Sequence, residues 1–443
     1  MQFLRRILPV LAMLAWPLTP AQAAGLLRDA GLEHALRIIS QPILAAAGLS
    51  PYRTKIYVIN DLRLNAYAAN NRIIALNAGM ILRVSTVEEL QAVIAHEAAH
   101  ITNGHLTRRG QNAQTAKLGS GIALALALAA GAASGEAGLG AGLALGSRYS
   151  AQGVLASHSR EEESAADRSG MRFLALAGID PLAMARVMRI LEGQEAMAIS
   201  GSIPYLRSHP LSRERVRAIE AYGEVISPQG TSAEDAQYWF ERAQGKLSAY
   251  LRSPGYTFQR VKPGDSSDTA RIERALAHYH QGATDKALAE IDALIAARPE
   301  DPFAQELRGW VLLEAGQARA ALPAYKAAAQ LAPKEPQILA GYGRALMAVG
   351  GAQNDALALE VLAKSRARDP YNPRMLRDLS LAYAKAKQPG MAALTTAERY
   401  ALTGKPKDAA LHARRAEGQL PTGSPGWAKA QDILRSAEQA AKK

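Results

Sequence analysis

The sequence predicts a mainly α-helical chain in two units: an α+β domain with one small β-sheet, then an α-solenoid of stacked helical hairpins. Three observations carry this. Aromatic residues make up only 5% of the chain while Ala and Leu crowd it, which favours helix over a β-sandwich or barrel. The only convincing sheet-forming sequence lies between residues 55 and 77. From residue 282 onward, glycines and prolines recur at a spacing of 34.

The chain has 443 residues, too many for a single ordinary core. Its 48% hydrophobic and 21% charged content excludes wholesale disorder. It has no cysteine, which removes disulfides, thiolate metal sites, a cysteine nucleophile and a lipidated N-terminal Cys. Any metal must therefore rest on His and carboxylates. The formal charge is +12, but the bases are scattered as helical i,i+4 partners without a basic block. This pattern reads as solvated surface and argues against nucleic acid.

The elements follow in order. Arg5 and Arg6, the apolar stretch from Ile7 to Trp16 and the small-x-small triplet Ala21-Gln22-Ala23 predict a signal peptide over 1–23. Its apolar run is shorter than the ~20 residues of a membrane span, so a secreted protein is expected. Residues 25–48 read as an amphipathic helix. Lys55 to Asn60 is a β-branched strand. Leu64 to Ala69, the Asn70-Asn71 pair, and Arg72 to Asn77 read as a hairpin, since Asn tolerates the backbone a tight turn demands.

Ser85-Thr86 with Glu88-Glu89 is a capping box that starts a helix running to about Gly104. Residues 118–146 are nearly all Ala, Leu and Gly. They could hold a membrane span or a small-residue hairpin or lid. The second is expected, in peripheral contact with a membrane, because the segment interrupts one site. Further helices are expected from Ser159 to Gly178, from Pro181 to about Met197, and from Pro210. A Pro/Gly/Ser-rich linker at 253–268 should separate a domain over 24–252 from one over 269–443.

In the second domain, Gly282, Gly316 and Gly350 are 34 apart, as are Ala287-Leu288 and Ala321-Leu322, and Pro299 and Pro333. Pro370 comes 37 after Pro333, which implies three inserted residues near Gly351. This register resembles tetratricopeptide repeats: three clear units, a degenerate fourth and a last helical pair. Such stacks bind peptides or proteins in a concave groove and do no chemistry.

Chemistry concentrates in His96-Glu97-Ala98-Ala99-His100. Histidines at i and i+4 share one helical face and can reach one zinc ion, and Glu97 beside them can serve as general base. A third ligand is required. His105 lies about 140° round the helix from His100 and is expected to be structural. Glu163 and Asp167, also i,i+4 and sharing a face with Gly170, offer the alternative: Glu163 as ligand, Asp167 as acceptor for a ligand histidine's N–H. Arg72, Ile73, Ile74, Ala75, Leu76 and Asn77, if they form a free strand edge, could bind extended substrate by strand addition.

The motifs HEAAH, SREEESAADRSG and Arg207-Ser208-His209-Pro210-Leu211-Ser212 together resemble the M48 metallopeptidases, the HtpX-like and prenyl-protein-protease group of gluzincins. The leader and repeats resemble the periplasmic branch of that family. Asn65-Ala66-Tyr67-Ala68 is similar to its NAF-like strand element, with Tyr in place of Phe. The family's E-x-x-x-D pattern falls on Glu163 and Asp167. The resemblance implies one Zn2+ per chain in an α+β zincin-type domain, with His209 near the metal as oxyanion stabiliser or latch. It also implies a periplasmic endopeptidase acting on misfolded or stalled envelope proteins, with unfolded substrates and outer-membrane β-barrel precursors or their assembly machinery as partners. The rival reading is a repeat-based chaperone or assembly scaffold whose zinc site is latched.

Overall fold

The computed structural model describes residues 25–107, 159–197, 203–230 and 235–441. The leader expected at 1–23 and the segment 118–146 lie outside the described residues. Among those described, no helix is long and apolar enough to cross a membrane.

The first unit is built on a four-stranded sheet: β1 (Leu26–Leu27), β2 (Lys55–Ile59), β3 (Ala66–Asn70) and β4 (Ile73–Asn77), in the order β1-β2-β4-β3. The segment read as helix from residue 25 begins differently. Leu26 and Leu27 pair antiparallel with Ile59 and Val58, and α1 starts only at Ala30 (Ala30–Ala46), where the Asp29 side chain accepts from Leu32 N–H. Leu36, Ile39 and Ile43 of α1 are buried against the sheet and α3, each contributing about 1.5–3 kcal/mol.

The hairpin forms, with Ala68 opposite Ile74, but its second strand is not an edge. β4 also pairs in parallel with β2, Ile56 opposite Ile74, so both its sides are hydrogen-bonded and all five residues are buried. Four of those five are apolar, and such a run suits an interior strand covered on both faces. Strand addition to residues 72–77 is therefore excluded, and the outer strand beside the functional site is β3. Just after β4, Gly79 packs against the loop between β2 and β3, where a Cβ would stand 2.0 Å from the Leu62 carbonyl oxygen.

After β4 come α2 (Ala78–Arg83) and α3 (Val87–Thr102). The predicted capping box is present, with Thr86 and Glu89 satisfying each other's backbone N–H groups. A second box, Ser159 with Glu162, starts α4 (Arg160–Leu176). Gly170 lets α4 lie against α3, since a Cβ there would stand 3.3 Å from the backbone of Ala95 and His96. α5 (Ala183–Met197), the short α6 (Pro204–Ser208) and α7 (Arg213–Val225) complete the shell around the site. The helix expected from Pro210 starts at Arg213, with Ser212 as its cap.

The junction is occupied by α8 (Ala236–Leu251) and α9 (Pro254–Arg260). Phe240, Ala243 and Leu247 of α8 belong to the first core, while its Ala249 belongs to the core of the repeats. Five antiparallel pairs follow: α10 (Asp268–His280) with α11 (Thr284–Ala297), α12 (Pro302–Glu314) with α13 (Ala318–Leu331), α14 (Pro336–Val349) with α15 (Ala352–Arg368), α16 (Pro373–Lys385) with α17 (Pro389–Leu402), and α18 (Pro406–Glu417) with α19 (Pro425–Ala441). Gly282, Gly316 and Gly350 end the first helix of three pairs at φ of +73°, +77° and +74°, which explains their fixed spacing. The three inserted residues lengthen α15 to 17, against 14 in α11 and α13.

The repeats dock on the first unit through α1 and α8. Ala30 packs with Phe303 and Ile338. Around that seam the first unit supplies bases and the repeats mostly acids: Arg242 meets Asp301 at 2.7 Å, Arg37 meets Glu335 at 3.5 Å, and Arg28 meets Asp369.

Candidate metal centre

Two helices and one loop build the site. α3 projects His96, Glu97 and His100, α4 projects Glu163 and Asp167, and the turn between α6 and α7 carries His209. His96, Glu97, His100, Glu163 and His209 are each no more than 2% exposed. Burial of this many polar groups is tolerated only when they satisfy one another or share a cation.

One nitrogen or oxygen from each of His96, His100, Glu163 and His209 lies within 4.8 Å of all the others. His96 Nε2 is 3.0 Å from His100 Nε2 and 3.3 Å from His209 Nδ1. Glu163 Oε1 is 3.4 Å from His100 Nε2 and 3.0 Å from His209 Nδ1. For zinc bound at 2.0–2.1 Å, adjacent tetrahedral donors stand about 3.3 Å apart. The three nitrogens and one oxygen therefore fit a zinc ion in donor type, spacing and burial.

The surroundings orient these donors. Asp167 Oδ1 lies 3.0 Å from His96 Nδ1 and so keeps Nε2 turned inward. Burial alone would lower the His96 pKa, but Asp167 and Glu163 raise it to about 10, so the pocket favours a positive charge at this point. Burial alone would raise the Glu163 carboxyl, but the facing His209 and His96 hold it far below the usual carboxylate range. His105, out of register as a ligand, places its Nδ1 2.9 Å from His100 Nδ1 and so holds the His100 ring from the side away from Nε2.

Two features were not foreseen. Arg215, on α7, makes a fork to Asp167, with Nε to Oδ2 at 2.8 Å and Nη2 to Oδ1 at 2.9 Å. Its Nη1 lies 2.8 Å from Glu163 Oε2 and donates to the Pro210 carbonyl at 2.8 Å. Nothing in the sequence separates it from its neighbours Arg213 and Arg217. His209 follows the end of α6 with φ −125° and ψ 76°, so it does not sit at a helix N-terminus. What aims its ring is Tyr205, whose ring centroid is 4.5 Å away.

Glu97 is the carboxylate nearest the sheet. Its Oε2 accepts the Ala68 N–H of β3 at 2.9 Å, and its Oε1 stands 3.6 Å from His209 Nε2. Residues 72–77 do not reach the site as an edge; β3 does.

Residues 32–222 match the family described as Peptidase family M48. The beta-barrel assembly-enhancing protease of Yersinia pestis is 25% identical over 86% of this chain and 78% of its own length. That of Escherichia coli strain K12 is 24% identical over 91% of this chain and 82% of its own. A Vibrio cholerae protein described in the same terms is 27% identical over 56% of this chain, and the match spans about half of it, 51%. Among solved structures, the TPR protein YrrB covers 52% of this chain and 99% of its own at 17% identity and a TM-score of 0.29. Residues 32–222 are accordingly a peptidase family M48 domain, the catalytic unit of a metalloendopeptidase that uses zinc.

Proposed function

We propose that this protein is a periplasmic zinc endopeptidase that degrades misfolded or stalled envelope proteins in outer-membrane protein quality control, with the repeats recruiting clients. The observation that carries the reading is the position of Glu97, buried between the four-donor cluster and the outer strand of the sheet. The relatives, beta-barrel assembly-enhancing proteases, support the link to β-barrel assembly.

In this reading His96, His100 and Glu163 hold the ion and Asp167 orients His96. The bound zinc supplies Lewis-acid polarisation of the scissile carbonyl and acidifies water. Glu97 takes the proton from the attacking water and passes it to the leaving amide nitrogen. Substrate adds to β3 as an extended strand and takes over the Ala68 N–H, which frees the Glu97 carboxylate it now engages. Main-chain pairing of this kind accounts for action on unfolded segments with weak sequence preference.

The test is casein cleavage by zinc-loaded protein. Glu97→Gln should keep zinc and fold and lose turnover by about 10²-fold or more, since only the proton carrier is removed. Equal cleavage by both proteins would sink the mechanism.

The place of His209 favours a second reading, a scaffold with a latched site, because its Nδ1 stands in the fourth donor position. His209→Ala should raise basal proteolysis if the ring is a latch. Unchanged or lower activity would remove the latch, and only lower activity would return His209 to an oxyanion-stabilising role.

A further inference from the structure

Read along the chain, the bases form no contiguous run, but their excess is concentrated toward the C-terminus. Residues 364–443 hold 16 Lys and Arg against 7 Asp and Glu, so this fifth of the chain carries +9 of the formal +12. Three of the seven acids are withdrawn from the surface. Asp369 is buried against Arg28, Asp378 against Arg344, and Glu398 against Arg366 and Lys429.

The alternating direction of α15 to α18 brings the end of α15, the start of α16 and the α17–α18 turn to one edge of the solenoid. Arg368, Lys405 and Lys407 stand exposed there. The edge continues onto the sheet. Arg72, in the β3–β4 turn, is close enough to Tyr371 to oppose the rise that burial gives the Tyr371 pKa, and Lys55 and Arg53 are exposed at the adjoining start of β2. Among the described residues, no ion pair ties any of these six bases. They stand on turns and helix ends, and the solenoid part of the edge crosses α15 to α18, about 30 Å at the usual spacing of packed helices.

We propose that this basic edge, from the end of the sheet along the last helical pairs, docks on a membrane surface of anionic phospholipid headgroups. Bases on flexible stems with no carboxylate partner give no stereochemical reading of a partner. They suit negative charge that is dense and laterally mobile, where each base adds to affinity nearly independently. A folded acidic protein would instead need a fixed pattern matched to the row. Docking by this edge turns the β3–β4 turn toward the lipid and holds the protease beside a membrane.

The experiment is flotation of the full chain with vesicles of phosphatidylcholine alone and with added phosphatidylglycerol. The triple variant Arg368→Gln, Lys405→Gln, Lys407→Gln is compared with an equal-charge control on the opposite edge, Lys385→Gln, Lys387→Gln, Arg415→Gln. Wild type should float with the anionic vesicles only, be released by salt, and lose at least about tenfold in partitioning in the first variant but under about threefold in the control. Casein cleavage in solution should be the same in all three. Equal losses in both variants would mean that net charge alone acts and would overturn the assignment of the edge. Equal flotation on neutral vesicles would assign attachment to apolar segments instead. Capture of polyglutamate but not of vesicles, lost in the first variant, would transfer the edge to an acidic protein and overturn the lipid reading.

Discussion

Arg215 ties the two carboxylates of α4, the ligand-type Glu163 and the orienting Asp167, to the carbonyl of Pro210 beside His209. A planar guanidinium can serve all three; an ammonium cannot reproduce the fork. Arg215→Ala leaves two buried carboxylates uncompensated, and zinc affinity should fall about 10–100-fold, the range seen when an outer partner of a metal ligand is lost. Arg215→Lys should restore only part of it. Competition against a chelator measures both, and unchanged affinity in Arg215→Ala would deny the residue its positioning role. His105 acts in a parallel way on His100, although its spacing disqualifies it as a ligand.

At the scale of the element, the outer strand β3 explains how one carboxylate can be held ready without an arginine beside it. The Ala68 N–H points away from β4 and toward Glu97, so it takes no part in the ladder that holds the sheet. Proline is tolerated at such edge positions because the missing N–H breaks no sheet bond. Ala68→Pro should therefore keep zinc content and thermal midpoint while kcat/KM on casein falls about tenfold, the worth of one hydrogen bond to a charged group. A midpoint lowered by many degrees would show that this N–H serves the fold instead.

At the scale of the whole molecule, the seam between the catalytic unit and the repeats is charged and closed. Glu306 of α12 faces Lys246, Asp29, Arg344 and Glu335; burial pushes its carboxyl up to about 7 against the pull of Lys246. Glu335 faces Arg37 and Glu33, and burial likewise pushes it up to about 7 against the pull of Arg37. Acids raised by folding bind their protons more tightly in the docked state. Their contribution to stability is complete below their ordinary value and is lost as pH rises through about 7. The thermal midpoint should drop by a few degrees between about pH 5 and pH 8. Glu306→Gln with Glu335→Gln should flatten that slope. A midpoint that rises over the same range would contradict the assignment.

Much of this protein is written locally. The capping boxes at Thr86 and Ser159, the turn glycines of the repeats and the i,i+4 pairs His96/His100 and Glu163/Asp167 are legible because helical periodicity and turn chemistry act over a few residues. Those pairs, once on their helices, have one face each to offer, and the fold brings the faces together. Tertiary structure alone decided the rest. Whether residues 73–77 lie inside the sheet depends on a parallel pairing with β2, which no hairpin pattern encodes. Arg215 reaches Asp167 across 48 residues, and His209 reaches His96 across 113. A local sequence window cannot tell such a buried base from its exposed neighbours. The same holds for the seam; the excess of bases in residues 364–443 is legible in the sequence, but which of them share one edge is decided only when helices stack.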